Sequence, residues 1–411
     1  MKNLADFPSE EYKNRCEKAR RLMDEYNIDA LLLTEEENVT YLSGFRKMLP
    51  NFSKARGYML HFILLPRDGA PVLLLPLPMR GNAELSSWIE DKRFFVAGIT
   101  GLPPIDPLKL TIGTIEELGL VDRVIGLELG DLTRIDSSQK DFEAIRNGLP
   151  HAKFVDSSEL IWKMRSIKSP LEIQYMRKVC GITCKAFQAG FESIEEGMTE
   201  KELARIIYKA MLDEGSEDTP LMAALLIRSG PNRYRLSDTR PSDTKMKKGH
   251  IIVVDGGTHY KGYFSDMTRL ACIGEPTKKQ KEMFECALKA EEAGVQAIRS
   301  GATAGDVFTA ADNVITELGF NKNFIYRFCG HGIGLRVHEP PSIAQGSETV
   351  LQPGMVLCVE PVLYDKVSLT YMLNGIMGKG AEGVFYLEDE VVVTERGHEN
   401  LTPMEKTLWI V

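Results

Sequence analysis

Ile251-Ile-Val-Val-Asp255-Gly256-Gly257, followed by Gly262-Tyr-Phe-Ser-Asp266-Met-Thr-Arg269, is the stretch on which the fold turns. A strongly apolar run ends on an acid and two glycines, and a second strand-like segment carries another acid eleven residues later. A hairpin of that length can bring both carboxylates together. A carboxylate on a buried strand needs a partner, because an isolated charge there costs several kcal/mol and protonates instead. Three further segments carry groups of the same kind, so that a metal ion shared among them would be the partner. Gly330-His331-Gly-Ile-Gly334 sets a histidine in a glycine-rich loop, where backbone can come close. Met355-Val-Leu-Cys-Val-Glu360-Pro361 sets an acid within an apolar strand, and Phe385-Tyr-Leu-Glu388-Asp389-Glu390-Val-Val-Val-Thr394 sets another at the mouth of a strand.

Each residue has an ordinary explanation when taken singly. Asp255 before two glycines can be turn chemistry, Asp266 a strand-edge acid, His331 a loop histidine and Glu388 part of a solvated acidic cluster. Their joint order and spacing points elsewhere. Four carboxylates and one imidazole make an oxygen-rich donor set suited to two divalent ions ~3.5–4 Å apart.

Outward from this centre, the chain has 411 residues, enough for two domains or one large one. At 43% hydrophobic and 26% charged it has an ordinary globular composition. A net charge of −8 and a pI near 5.6 argue against nucleic acid as a partner, since phosphate binding needs a basic face. They also disfavour an anionic membrane. The first residues lack an apolar h-region, so no secretory signal is expected. The apolar runs 58–66 and 71–78 are far shorter than the ~20 residues of a spanning helix and read as buried strands. Seven cysteines are scattered singly, odd in number and without a CxxC, which suits a reducing cytoplasm. Cys329 near His331 raises the idea of a thiol ligand, against which stands the plain reading of a small buried residue.

Periodicity predicts a helix over 10–26, a strand over 29–34, strands over 61–65 and 72–77 around the turn 66–69, a helix over 111–118, a strand over 123–127 and a helix over 142–149. This alternation implies an α/β first domain. The junction lies in 160–172, where Ser169-Pro170 opens a helix with proline in its first turn. Domains 1–160 and 161–411 are expected. The second reads as α+β: helices over 170–194 and 199–214, strands over 223–229, 251–254 and 268–273, helices over 277–299 and 304–318, and strands over 356–362 and 390–393. Thr199-Glu-Lys-Glu202 fits a capping box. Two helix pairs each followed by strands hint at an internal duplication, without a visible sequence repeat.

These segments resemble those of the creatinase/prolidase/aminopeptidase P/methionine aminopeptidase superfamily, the pita-bread metallohydrolases. The resemblance runs over roughly 240 residues, from Arg165-Ser-Ile-Lys-Ser-Pro170 to Val-Val-Val-Thr394-Glu-Arg-Gly397. Asn27-Ile-Asp-Ala-Leu-Leu-Leu33 and Asn38-Val-Thr-Tyr-Leu-Ser-Gly44 resemble the creatinase-type N-terminal domain of prolidase-like members. The resemblance implies a creatinase-type α/β domain followed by a pita-bread α+β catalytic domain. It also implies Asp255, Asp266, His331, Glu360 and Glu388 as ligands of two divalent metal ions. Manganese suits such a set; zinc, cobalt and iron are tolerated. Creatinase keeps this fold without metal, whereas all five ligand types stand here. The resemblance further makes Glu360 a general base and proton shuttle, and gives His338, in Val337-His338-Glu339-Pro340-Pro341, the task of contacting the substrate carbonyl. It implies a homodimer in which the partner's N-terminal domain walls the site, a wall to which residues 45–56 are a candidate contributor.

Three positions depart from peptidase relatives. Asp238, in Asp238-Thr-Arg-Pro241-Ser-Asp243, stands where they carry histidine in a His-x-x-Pro pattern; Arg327 stands where many have histidine; Tyr386 stands where many have arginine. Whole charges at 238 and 327 change the field of a pocket. Asp238 and Arg327 either pair, or bind cationic and anionic substrate groups, or face solvent. The expected activity is cleavage of short peptides as an Xaa-Pro aminopeptidase or Xaa-Pro dipeptidase (prolidase). The alternatives are a hydrolase or lyase of a small amidine or betaine-like metabolite, and a non-catalytic binding protein.

Overall fold

The computed structural model describes residues 4–46, 60–96, 101–217, 225–234, 240–366 and 380–411. Cα proximity divides the chain into two units, 1–165 and 166–411.

The first unit is built on six strands: β1 (Ala30–Leu33), β2 (Phe62–Pro66), β3 (Val72–Pro76), β4 (Asp91–Phe95), β5 (Val124–Leu127) and β6 (Lys153–Asp156). They are arranged in the order β4-β3-β2-β1-β5-β6. Pairings β1–β2 and β2–β3 are antiparallel, while β1–β5, β3–β4 and β5–β6 are parallel. Every residue of β1, β2 and β3 is buried, so these strands read as continuous apolar runs rather than alternating ones. One face packs Leu32, Phe62, Leu74 and Ile125 against Leu108, Ile115 and Ile145 of the helices. The expected helix at 111–118 begins earlier, at Pro107. Asp106 accepts from the amides of Leu108 and Lys109, and Pro107 takes the first turn, a start signal that the apolar periodicity alone did not carry. Strand β4 was not foreseen, because Asp91, Lys92 and Arg93 give it little apolar pattern.

The second unit holds two larger sheets. The first comprises β7 (Leu226–Ser229), β8 (Ile251–Gly256) and β11 (Met267–Cys272), and β9 (His259–Tyr260) pairs with β10 (Tyr263–Phe264) between β8 and β11. The second comprises β12 (Phe328–Gly332), β13 (Glu339–Ala344), β14 (Val356–Val359), β17 (Asp389–Thr394) and β18 (Gly397–Asn400), in the order β13-β12-β14-β17-β18. A minor pair, β15 (Leu363–Tyr364) and β16 (Val384–Phe385), lies beside them, and β19 (Trp409–Ile410) closes the first sheet in the order β19-β11-β8-β7. The helices Pro170–Glu192 and Glu200–Asp213 pack Ile182, Phe187, Leu203 and Ile207 against Ile252, Val254 and Ala271 of the first sheet. The helices Lys278–Ala297 and Ala304–Glu317 pack against the opposite residues Ile251 and Val253 and against Leu357 and Val359 of the second. The α/β and α+β readings of the two halves agree with this architecture. Among the described residues no helix is long and apolar enough to cross a membrane.

Candidate metal centre

The two sheets meet where Thr268 and Glu388 form a bridge. On one side, β8 and β11 run antiparallel with Thr268 opposite Asp255 and Met267 opposite Gly256. That register brings Asp266 beside Asp255. Gly257 is required here, since a Cβ at that position would lie 2.0 Å from the Ser265 carbonyl oxygen. On the other side, β12, β14 and β17 place His331 opposite Cys358 and Cys358 opposite Glu390. Side chains alternate along a strand, so Glu360 and Glu388, each two residues further on, extend the same face by one row.

The five residues singled out by the sequence converge. His331 Nε2 lies 3.5 Å from Glu360 Oε1 and 3.9 Å from Glu388 Oε1. One carboxylate oxygen each from Asp255, Asp266 and Glu388 lie within 4.8 Å of one another. His331 Nδ1–H donates to the carbonyl of Gly332 at 3.0 Å, which leaves the Nε2 lone pair facing the carboxylates. His338 meets His331 edge to face, ring centres 4.2 Å apart, and forms a further close group with His331 and Asp266. His331 is buried while His338 is exposed, so His338 is the face of the pair that a solute meets.

Burial and crowding act together on these groups. Burial, then the charges of Asp255 and Glu360, holds Asp266 well above the usual carboxylate range. Burial, then Asp266 and Glu360, does the same to Glu388, and burial with Asp255 lifts Glu360 to about 8. Burial also raises Asp255, opposed by the Arg228 guanidinium. Burial, helped by His338, lowers His331 to about 3, so its imidazole is neutral. Asp266 Oδ1, His331 Nε2 and Glu388 Oε1 are buried without a hydrogen-bond partner among the described residues. Buried polar atoms are normally satisfied, and a divalent cation satisfies three such lone pairs at once. The donor set fits that group.

The remaining sequence candidates lie differently. Tyr386 is buried against the cluster: its hydroxyl donates to Asp255 Oδ2 and accepts from Arg228, whose guanidinium is 3.9 Å from the same carboxylate. Arg327 is 64% exposed, lies 3.9 Å from Asp312, and does not join the cluster of described residues. Asp238 lies outside the described residues, as do residues 47–56 of the suggested wall. Cys329 packs in the apolar core beside Phe324 and Val359 rather than among the ligands, because register shifts around Gly330 break strand alternation. Two neighbours escaped the sequence reading. Cys358 shares the face of Glu360, as an i, i+2 count along Cys358-Val-Glu360 shows. Arg228 sits at the end of the apolar run Leu225-Leu-Ile, and no spacing rule links it to Asp255.

Comparison with known proteins places the chain in a family. Residues 174–395 match metallopeptidase family M24, and residues 15–167 match the creatinase/prolidase N-terminal domain. An Xaa-Pro dipeptidase of Pyrococcus furiosus is 31% identical over 96% of this chain and 99% of its own length. The structure of a prolidase from Pyrococcus horikoshii superposes with a TM-score of 0.78 at 29% identity, covering 96% of this chain and 99% of that one. An Xaa-Pro dipeptidase from Bacillus anthracis superposes with a TM-score of 0.81 at 27% identity, covering 97% and 100%. The pita-bread catalytic domain preceded by a creatinase-type domain is thus the fold, and divalent metal is the cofactor class of this family. The chain belongs to metallopeptidase family M24, a two-domain, metal-dependent hydrolase of the creatinase/prolidase group.

Proposed function

We propose that this enzyme hydrolyses the peptide bond before proline in short Xaa-Pro substrates, dipeptides foremost. The observation that carries the reading is the set of buried, unsatisfied lone pairs on Asp266, His331 and Glu388, backed by Asp255 and Glu360. The Xaa-Pro dipeptidases among its full-length relatives support the substrate class. Asp255, Asp266, His331, Glu360 and Glu388 would hold two divalent cations, with manganese matched to four carboxylates. Such ions, when bound, polarise a carbonyl and bring the pKa of water toward neutrality. Glu360 takes the proton of the attacking water and passes it to the leaving imino nitrogen of proline. His338, on the exposed side of His331, donates to the oxygen on which negative charge develops.

Glu360→Ala should lose at least one of about two ions per chain and all turnover, with the fold intact by circular dichroism. Full activity in that variant would falsify the assignment. Manganese-, cobalt- and zinc-loaded protein should cleave Xaa-Pro dipeptides. Cleavage confined to longer Xaa-Pro peptides makes it an aminopeptidase, and no peptide cleavage turns attention to amidine and betaine-like compounds. The reading includes a homodimer, following the resemblance, to be checked by sedimentation. It also includes residence in a reducing cytoplasm, supported by seven cysteines that are all free.

A further inference from the structure

The strand registers put Cys358 directly across from the ligand candidate His331 on one side and from Glu390 on the other. Its neighbours Leu357 and Val359 face the apolar core. Alternation therefore turns the thiol to the side of Glu360. Cys358 is fully buried, and its Sγ, a ring nitrogen of His331 and a carboxylate oxygen of Glu388 all lie within 4.8 Å of one another.

A cysteine alone would be no more than a small buried residue. Two neighbours with unspent polar atoms make the difference. Glu388 is 1% exposed: its Oε2 accepts from the Thr268 hydroxyl at 3.1 Å, while its Oε1 has no hydrogen-bond partner among the described residues. His331 likewise spends Nδ1 on the Gly332 carbonyl and leaves Nε2 without one. A nitrogen lone pair, a carboxylate lone pair and a sulfur thus converge on one small volume.

We propose that Cys358 is a sulfur donor of the metal centre, forming with His331 and Glu388 an N,O,S pocket that adds affinity for thiophilic divalent cations such as zinc, cobalt(II) and cadmium to a centre whose carboxylates also hold manganese. The inference rests on the reading of the acid cluster as a metal site. Soft sulfur adds affinity for borderline and soft ions, while manganese takes its affinity from oxygen. On coordination the S–H bond breaks, the sulfur–metal bond forms, and the proton passes to solvent, so charge and atoms balance.

The test uses the full chain, stripped with a chelator and reloaded separately with cobalt(II), cadmium and manganese. The wild-type cobalt protein should show a sulfur-to-cobalt charge-transfer absorption in the near ultraviolet beside visible ligand-field bands. Cys358→Ser should lose the charge-transfer band, keep the ligand-field bands and bind cadmium about tenfold more weakly, with manganese affinity unchanged. Cys329→Ser should behave as wild type. Ligand-field bands without charge transfer in the wild type would overturn the sulfur ligand and leave the metal centre standing, a result that needs no variant to fold. A charge-transfer band that persists in Cys358→Ser places the sulfur elsewhere and also overturns the proposal. Failure of cobalt to bind at all would remove the metal centre, and the sulfur ligand with it.

Discussion

At the scale of single residues, the most consequential arrangement around the centre is Arg228–Tyr386–Asp255. A guanidinium that is 2% exposed needs compensation, and here it donates to the Tyr386 hydroxyl, which in turn donates to Asp255. The hydroxyl both orients the carboxylate and links it to the cation at 3.9 Å. Groups that fix a ligand in this way typically contribute a factor of roughly 10–100 in metal affinity. Tyr386→Phe should therefore weaken metal binding by about that factor while the five acid and imidazole side chains stay in place. Titration calorimetry of the metal-free protein measures it, and an unchanged affinity would show Tyr386 to be filler. The sequence made Tyr386 visible as a departure from the resembled pattern. It could not reveal Arg228, because the two residues are joined only through tertiary structure, 158 positions apart. Arg269 was hidden for the same reason. It is fully buried and donates to the carbonyls of Thr268, Glu388, Thr402 and Met404 and to Asp389 Oδ1, so it ties the segment 402–404 behind the strand that carries Glu388.

Among the elements, helix starts and apolar strands were the most legible, because their signals are local. Ser169, Thr199, Thr277 and Thr303 each cap a helix whose third residue, Glu172, Glu202, Gln280 or Asp306, bonds back. The sequence carries all four helices, at 170, 199, 277 and 304, but start signals were read only for the first two; the other caps pair with Gln or Asp in place of the usual Glu. The segment 333–338 between β12 and β13 was less legible, since what holds it is remote. Lys168 and Glu339 form a buried pair at 3.3 Å, and the second oxygen of Glu339 accepts from the Arg336 amide at 3.2 Å. His338 precedes Glu339, so this pair anchors the end of the loop that presents it. Removing one partner of a buried pair leaves an uncompensated charge and costs about 3–5 kcal/mol. Lys168→Met should cost that much in urea unfolding, and Lys168→Met with Glu339→Leu should recover part of it. A single variant as stable as wild type would deny the pair its anchoring role.

For the whole molecule, composition and cysteine count bounded the class, and alternating elements gave the two fold types. What one sequence could not convey was the cost of assembling the centre. Asp266 and Glu388 are buried with the half-buried Glu360 beside them, and all three are raised by desolvation and by their acidic neighbours. Without a cation this crowding opposes folding; with one it becomes the binding site. Folding and metal affinity are therefore linked, and a ligand that binds only the native state adds about 2.7 kcal/mol at a hundred times its dissociation constant. A chelator should lower the unfolding midpoint by a corresponding amount, and added manganese should restore it. The linkage also fixes a sign. Glu388→Gln removes one of the crowded charges, so in chelator the variant should unfold later than wild type. In saturating metal it lacks a ligand and should unfold earlier. Differential scanning calorimetry of both proteins under both conditions gives the comparison. If the order of stability is the same with and without metal, electrostatic crowding is not what the cation relieves, and the cluster's acids are held by some other means.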